Sequence, residues 1–548
     1  MEAEKSSGKI SWVEYRPAFL VLLFGAFLRL FRVGDQIILD DEWHALNAVQ
    51  DHDYGWIFSH LGHADHSIPL TLLFEFFSQT IGLSEISMRL PSLLAGILAI
   101  IVLPWMMRHW LKPRESLVMA ALIAISPFLV NYSRIARPYS ALFLLAGASI
   151  VLAWLWWKHN DRASGLGWIL CSVFAAWLNP VSLAVTVAPF LWFAGNLFTG
   201  PRRDTFKALQ RLLIMGITIG MGVALLLYVP LSSDFASLAV KSGLHRANAG
   251  TFMVAASLFA GSGYILITAL MMGAAGAGWI NLSRRDRPFA NYILLVAVAS
   301  TIAVLATGAE WIIHGVVLAR YLLGLQAIFL ALAAIGIVMF CGQLAAASKL
   351  STSSINVLVP LVLLSLFLAG PLPLAGARNN QFMHHMSLQF DYDTDRNPIR
   401  AALESVVPET FYEEIAKLHP NGGATIVEAP WYLESNWNAL ALYQAIHQQN
   451  VLIGFVGGSC AKRLYGELRW DIEGLKFKNF VFLQDLLNGA VKADYLVLRS
   501  QSPTDARVIE MNYSKCEQLA RTMLGKPWRS TDSALVFKLG GPGLSGDS

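Results

Sequence analysis

The stretch VVLARYLLGLQAIFLALAAIGIVMFC, residues 316–341, decides which solvent this chain folds in. It has neither the half-polar face of a surface helix nor the alternation of a half-buried strand. At about 1.5 Å per residue it is long enough to cross the roughly 30 Å of hydrocarbon in a bilayer. Arg320 sits inside it, where a lone charge costs about 2.5–3.5 kcal/mol on insertion scales, so the side chain needs an anionic partner or a snorkelling route to the interface.

Working outward from this block, similar apolar runs occur at 17–33, 89–107, 116–132, 139–157, 166–180, 181–198, 210–231, 252–280, 290–308 and 353–371. With 316–341 they make eleven expected spans. Hydrophobic residues are 55% of the 548 and charged residues 14%, too little polar surface for a soluble globule of this size. The net charge of +4 is gathered in a few loops and forms no nucleic-acid-binding face, so nucleic acid is excluded as a partner. The N-terminal basic and apolar stretch has no small-residue cleavage pattern and reads as a retained first helix.

Orientation follows from Lys and Arg. The clusters Lys5/Lys9/Arg16, Arg108/Lys112/Arg114, Lys158/Arg162, Arg202/Arg203/Lys207/Arg211, Arg284/Arg285/Arg287 and Lys349 fall on one side if the spans alternate. The positive-inside rule puts that side, with the N-terminus, in the cytoplasm. Residues 34–88 hold no Lys or Arg but carry many carboxylates and five histidines, and are expected outside. Within them Ile68–Ile81 is apolar but too short to span, and Thr71, Glu75, Ser78 and Gln79 form a polar stripe opposite Leu72, Leu73, Phe76 and Phe77. It reads as a helix lying in the outer interface. Two domains are expected: a membrane module over 1–371 and an extracytoplasmic α/β domain over 372–548, with short strand-like runs at 424–428, 451–455, 480–483, 495–499 and 534–538. Cys171 and Cys341 lie in apolar blocks, which leaves Cys460 and Cys516 as the two that are able to pair.

Four constellations carry possible chemistry. Asp40-Asp41-Glu42 places three carboxylates just after the first span, either as a solvated helix start or as a general base with a compensating cation. His60, His63, Asp65 and His66 suit a divalent metal ion, a phosphate contact, or a polar loop of unrelated histidines; the tightest ligand set is His63, Asp65 and His66. Ser133–Tyr139 brings Arg134 and Arg137 to an outward turn, where guanidinium forks want phosphate oxygens or the loop carboxylates. Glu310, Trp311 and His314 lead into Arg320 and Tyr321, while Lys241, His245 and Arg246 are explained as a solvated loop.

These stretches, in this order, resemble the polyprenol-phosphate-sugar-dependent glycosyltransferases of the membrane-embedded GT-C class, in the branch of protein O-mannosyltransferases and lipid A aminoarabinose transferases. The matching residues are Leu28-Arg29-Leu30, Asp41-Glu42, Ile68-Pro69-Leu70, Arg89-Leu90-Pro91-Ser92, Ser133 to Tyr139 and Arg320-Tyr321-Leu322-Leu323, which together extend over the whole membrane part. The resemblance implies a catalytic Asp41 with Glu42 beside it, and a donor phosphate near Arg137, Tyr139, Arg320 and Tyr321. The family commonly opens its interfacial helix with a basic residue and two prolines; Ser67-Ile68-Pro69 stands here instead, leaving the phosphate contact to His66.

The implied activity is an inverting transfer of a single sugar from a polyprenyl-phosphate carrier to a lipid, glycan or protein acceptor at the extracytoplasmic face, in a bacterial inner membrane. A polysaccharide polymerase or ligase using a lipid-linked donor, a transporter and a non-catalytic assembly subunit are the rivals. A transporter is expected to show inverted repeats and broken helices, which the apolar blocks do not display.

Overall fold

A computed structural model describes residues 12–31, 33, 42–62, 66–199, 202–240, 246–309, 311–349, 351, 354–370, 372, 409–429, 440–453, 492–499 and 513–539. The chain divides into two compact units, Met1–Gln36 with His44–Tyr392, and Ile37–Trp43 with Asp393–Ser548. The acidic residues Asp40 and Asp41, the metal candidates His63 and Asp65, and also Lys241, His245, Glu310 and Cys460, lie outside the described residues.

The first unit is helical. It runs through α1 (Trp12–Leu30), the short α2 (Glu42–Asp51, whose first two residues are assigned to the second unit), α3 (Tyr54–Ser59) and α4 (Ile68–Thr80), and then α5 (Glu85–Met106), α6 (Pro113–Ile125), α7 (Pro127–Ser133), α8 (Tyr139–His159) and α9 (Arg162–Leu178). Beyond these come α10 (Leu183–Thr186), α11 (Pro189–Thr199), α12 (Arg202–Ser233), α13 (Phe235–Val240), α14 (Ala249–Ala260), α15 (Ile265–Arg285), α16 (Arg287–Ala306), α17 (Gly315–Tyr321), α18 (Leu323–Ala347) and α19 (Ile355–Ala369). Among the described residues seven stretches are long and apolar enough to cross a membrane, or eight if the bent pair α6–α7 counts as one. The remaining expected spans are helical too, but α9 and α19 are short apolar helices. The chain is therefore a multi-pass helical membrane protein with a small sheet-containing unit near its C-terminus.

Helix limits follow local chemistry. Asp161 accepts the backbone N–H groups of Ala163 and Ser164 at the start of α9, and Asp286 accepts that of Phe289 at the start of α16. Asn160 closes α8 in the left-handed region at φ 53°.

Among the blocks read as continuous spans, 181–198 is parted between α10 and α11 at Val187-Ala188, and three others are interrupted near one another. The 116–132 block is α6 and α7 inclined at 58°, because Pro127 lacks the N–H that would continue the helix. The 252–280 block is α14 and α15, parted by Gly261 at φ 78°, and 316–341 is α17 and α18, parted at Leu322. The interruptions adjoin one another. A Cβ on Gly261 would stand 2.9 Å from Pro127 Cδ, and Gln326 Nε2 donates to Ser126 Oγ at 3.3 Å. Glycine at 261 is thus required both by its backbone conformation and by the approach of Pro127. Below the breaks α15 and α18 cross in backbone contact: a Cβ on Gly278 would lie 1.9 Å from the Leu332 carbonyl oxygen, and one on Gly336 would lie 2.0 Å from that of Ala274. Small residues let membrane helices approach this closely, where packing rather than exclusion from water drives association.

Four of the basic clusters meet at one end of this unit. Arg285 holds Glu115 through two bonds of 2.8 and 2.7 Å, Lys158 stands 3.9 Å from Asp286, Trp110 Nε1 donates to Asp286 at 3.2 Å, and Arg211 lies 5.1 Å from the Trp156 ring. That convergence is what an alternating thread requires of the loops at 108–114, 158–162, 202–211 and 284–287. The α4 helix turns Thr71 and Glu75 into the protein and Phe76 outward, so the inner part of its polar stripe faces neighbouring helices while Ser78 and Gln79 stay exposed. Gln79 Nε2 donates to Glu75 at 2.6 Å, which gives the buried carboxylate a partner on its own helix.

The second unit contains α20 (Thr410–Leu418), β1 (Thr425–Ala429), α21 (Leu440–His447), β2 (Asn450–Ile453), β3 (Tyr495–Arg499), α22 (Tyr513–Leu524), β4 (Arg529–Ser530) and β5 (Ala534–Lys538). The sheet order is β2-β1-β3-β5-β4, with β1 parallel to both β2 and β3 and β5 antiparallel to β3 and β4. The expected strands at 424–428, 451–455, 495–499 and 534–538 correspond to β1, β2, β3 and β5; the one at 480–483 lies outside the described residues. Glu428 on β1 and Arg499 on β3 are buried and 3.4 Å apart, with the Tyr412 hydroxyl bonded to both. Removing one partner of such a pair strands the other charge in the interior.

On α21, His447 is fully buried, its Nδ1 accepting the Gln449 N–H at 3.0 Å. Burial pulls its pKa down from 6.5 to about 4. Below pH 6.5 the unfolded chain takes up a proton that the folded unit refuses until about pH 4. The stability this histidine confers is therefore complete above pH 6.5, drains away as the pH falls towards 4, and changes no further below that. Thermal melts followed by near-ultraviolet circular dichroism should show a shallower loss of stability over that interval in His447→Phe than in the wild type; equal slopes would remove His447 from the acid response.

Candidate functional site

The site is built where α1, α5, α7, α8 and α17 meet, and it starts from the interruption at Pro127. A proline at 127 leaves the Ile123 carbonyl, four residues back, without its helical donor. Arg29 supplies one: Nη2 donates to Ile123 O and Nη1 to Ala124 O, each at 3.1 Å, while Nη1 also reaches Gly25 O at 2.9 Å and Nε reaches Ser133 Oγ at 3.1 Å. Gly96 on α5 makes room, because a Cβ there would stand 2.0 Å from Ser133 Oγ and 3.2 Å from Arg29 Nε.

Arg134 serves the end of α1 in the same way, its Nη1 donating to Arg29 O at 3.0 Å, Phe31 O at 2.8 Å and Leu28 O at 3.4 Å. Arg89 Nη1 donates to Val33 O at 2.9 Å. All three arginines are completely buried. They place positive charge against helix C-termini, where the macrodipole is negative and carbonyls need donors. These bonds hold helix ends in place. Arg134 thus donates to backbone carbonyls among its contacts, a use that the sequence reading did not include.

Arg137 and Arg320 differ from these in being half-buried. Arg320 reaches Tyr132 with Nε at 2.6 Å and Tyr139 with Nη1 at 3.5 Å, and its guanidinium carbon lies 5.8 and 5.4 Å from the two ring centres. Arg137 lies 5.8 Å from the same Tyr139 ring, and its own carbonyl accepts from Ser92 Oγ at 2.7 Å, fixing the turn that carries it. Three residues singled out in the sequence, Arg137, Tyr139 and Arg320, therefore share one site although about 180 positions separate the first two from the third. Two guanidinium groups on one phenol make a cationic surface suited to phosphate oxygens. Tyr321, next to Arg320 at the end of α17, is half-buried and packs against the hydrophobic core.

His66 is buried ahead of α4 and stacks on Trp56 at 5.9 Å; His52 and His60, four residues to either side of Trp56, stack on that indole at 3.4 and 4.7 Å. Among the described residues no three His, Cys, Asp or Glu side chains are grouped so as to hold a metal ion. Glu42 is the first residue of α2 and is 1% exposed. Sequence reading missed Tyr132 as a partner of Arg320 and missed the service of Arg29 and Arg89 to helix ends. The available signal was Pro127 inside an apolar block, since the carbonyl it orphans requires a donor from elsewhere.

The membrane unit and the sheet-containing unit together have a fold similar to that of ArnT. Residues 65–233 match the family described as dolichyl-phosphate-mannose-protein mannosyltransferase, a stretch that runs from the start of α4 to the end of α12 and includes Arg137 and Tyr139. The crystal structure of ArnT from Cupriavidus metallidurans bound to undecaprenyl phosphate is similar at a TM-score of 0.56 and 13% identity, over 97% of this chain and 100% of that one. The apo state of the same ArnT gives the same TM-score and identity, over 97% and 99%. The oligosaccharyltransferase AglB from Archaeoglobus fulgidus gives a TM-score of 0.45 at 13% identity, over 89% of this chain and 69% of that one. No curated protein sequence matches the chain.

Proposed function

We propose that this protein moves one sugar from a polyprenyl-phosphate carrier to an acceptor hydroxyl at the extracytoplasmic face of a bacterial inner membrane, inverting the anomeric carbon. The carrying observation is the convergence of Arg137 and Arg320, both half-buried, on Tyr139. The fold shared with ArnT, whose crystal structure holds undecaprenyl phosphate, agrees with this reading.

In the proposed displacement the acceptor oxygen attacks the anomeric carbon as the bond from that carbon to the phosphate oxygen breaks, and the electron pair leaves with the phosphate. Asp41, with Glu42 beside it, takes the acceptor proton. Arg137, Arg320, Tyr139 and Tyr321 hold the departing phosphate, whose charge rises in the transition state, and preorganised donors there lower the barrier. His66 contributes to the same contact. His63, Asp65 and His66 are the side chains that would hold a divalent cation, whose contribution would be further charge neutralisation. Basic loops in the cytoplasm and the sheet-containing unit outside complete the proposed arrangement.

The test supplies purified protein in lipid with a panel of radiolabelled polyprenyl-phosphate sugars and candidate lipid, glycan and protein acceptors. Protein-dependent loss of label from at least one carrier, with one sugar gained per acceptor, is the expected result. Addition of repeated units would favour a polymerase, and no loss from any carrier would remove the transferase reading.

A further inference from the structure

We infer that Tyr132 is a positioning residue that sets the orientation of the Arg320 guanidinium; this rests on the reading of Arg320 as a donor-phosphate ligand. Arginine carries a long stem with about 2 kcal/mol of rotamer entropy, so a guanidinium at a half-open site grips phosphate well only if something holds its plane. Tyr132 does so from two directions. Its hydroxyl accepts the Nε–H at 2.6 Å, and its ring lies 5.8 Å from the guanidinium carbon. With Nε committed, the group can turn little without breaking that bond, and Tyr139 limits the far side through the 3.5 Å contact to Nη1.

Tyr132 is itself immobilised. It is 2% exposed, and its ring meets Phe128 edge-on at 4.8 Å and Tyr139 at 4.6 Å. The direction of α7, which carries it, is set by the 58° bend at Pro127, and Gly261 and Gln326 pack against that bend. A chain of contacts thus runs from the interruption of the α6–α7 pair to the orientation of a cation on α17. It explains why the interruption lies directly ahead of the site and why a tyrosine, with both a ring and a hydroxyl, stands at 132.

The measurement is the Kd of undecaprenyl phosphate for the purified full chain in lipid nanodiscs, titrated far enough to read binding weakened a thousandfold. Four proteins are compared: wild type, Tyr132→Phe, Arg320→Lys and the double variant. Phenylalanine keeps the ring and removes the hydroxyl, so Tm should stay at the wild-type value while Kd rises about tenfold, equivalent to about 1.4 kcal/mol. Lysine has no Nε–H to be held, so in the Arg320→Lys background the same change should alter Kd less than twofold. An equal loss in both backgrounds, or none in either, overturns the positioning role. Wild-type protein that fails to bind undecaprenyl phosphate overturns the phosphate-ligand reading, and this inference with it, before any variant is compared.

Discussion

Arg320→Met is expected to weaken undecaprenyl phosphate binding by about a hundredfold while leaving Tm near the wild-type value. A hydrogen bond to a charged group contributes about 1.5–3 kcal/mol, and each 1.4 kcal/mol is tenfold in Kd. Two opposing terms decide the stability side. Methionine removes a charge from a position inside an apolar block, a gain, but it also deprives the Tyr132 and Tyr139 hydroxyls of a donor, a loss of similar size. Phosphate binding gains nothing to offset the missing cation. If Arg320 instead served only to reach the interface, Arg320→Met would leave the lipid phosphate bound as before. Calorimetric or fluorescence titration in nanodiscs separates the two outcomes, and retained affinity would count against a phosphate role for α17.

The contrast between the arginines explains why this prediction concerns Arg320 and not Arg29. Arg29, fully buried, donates to the carbonyls of Gly25, Ile123 and Ala124 and to Ser133, so its replacement is felt first by the packing of α1 on α6. In sequence the two look alike, each an arginine within an apolar run. What distinguishes them is the state of the neighbouring backbone. Helix ends and a proline interruption surround Arg29 with acceptors, whereas Arg320 meets phenol rings. Hydropathy averages over such local demands, so the multi-pass helical character was legible while the allocation of cations among the helices was not.

The same averaging hid the interruptions. Apolar character continues unbroken through Ser126-Pro127, Gly261 and Leu322, and a bilayer requires that continuity whether or not the helix persists. Only the backbone responds to a missing N–H or to a left-handed residue, and a window of about 20 residues has no term for either. Broken helices had been expected of a transporter; here they accompany an ArnT-like fold and adjoin the proposed donor site. The α/β character of the second unit was legible because its strands alternate with helices over short distances, and β3 and β5 fall where the runs at 495–499 and 534–538 indicated. Its internal Glu428–Arg499 pair was not, since it joins residues 71 positions apart across two strands.

Asp41→Asn is expected to reduce transfer by roughly a hundred- to ten-thousandfold, the range that general-base catalysis supplies. Undecaprenyl phosphate should bind as in the wild type, because the proposed phosphate contacts come from other elements. Asn is isosteric with Asp, so a folding defect is not expected, and two readouts then divide the cases. Unchanged lipid binding with lost turnover assigns proton removal to Asp41. Lost binding together with lost turnover would instead make the acidic turn part of donor recognition, acting through a cation that Asn cannot hold. The pH profile gives a third check: an Asp base makes turnover fall as pH drops through the carboxylate range, and the residual activity of Asp41→Asn should lack that acid limb. If turnover survives the substitution, the acceptor loses its proton elsewhere. Glu42, buried at the first residue of α2, is then the next group to replace, since it adjoins Asp41 in the sequence and carries the same chemistry.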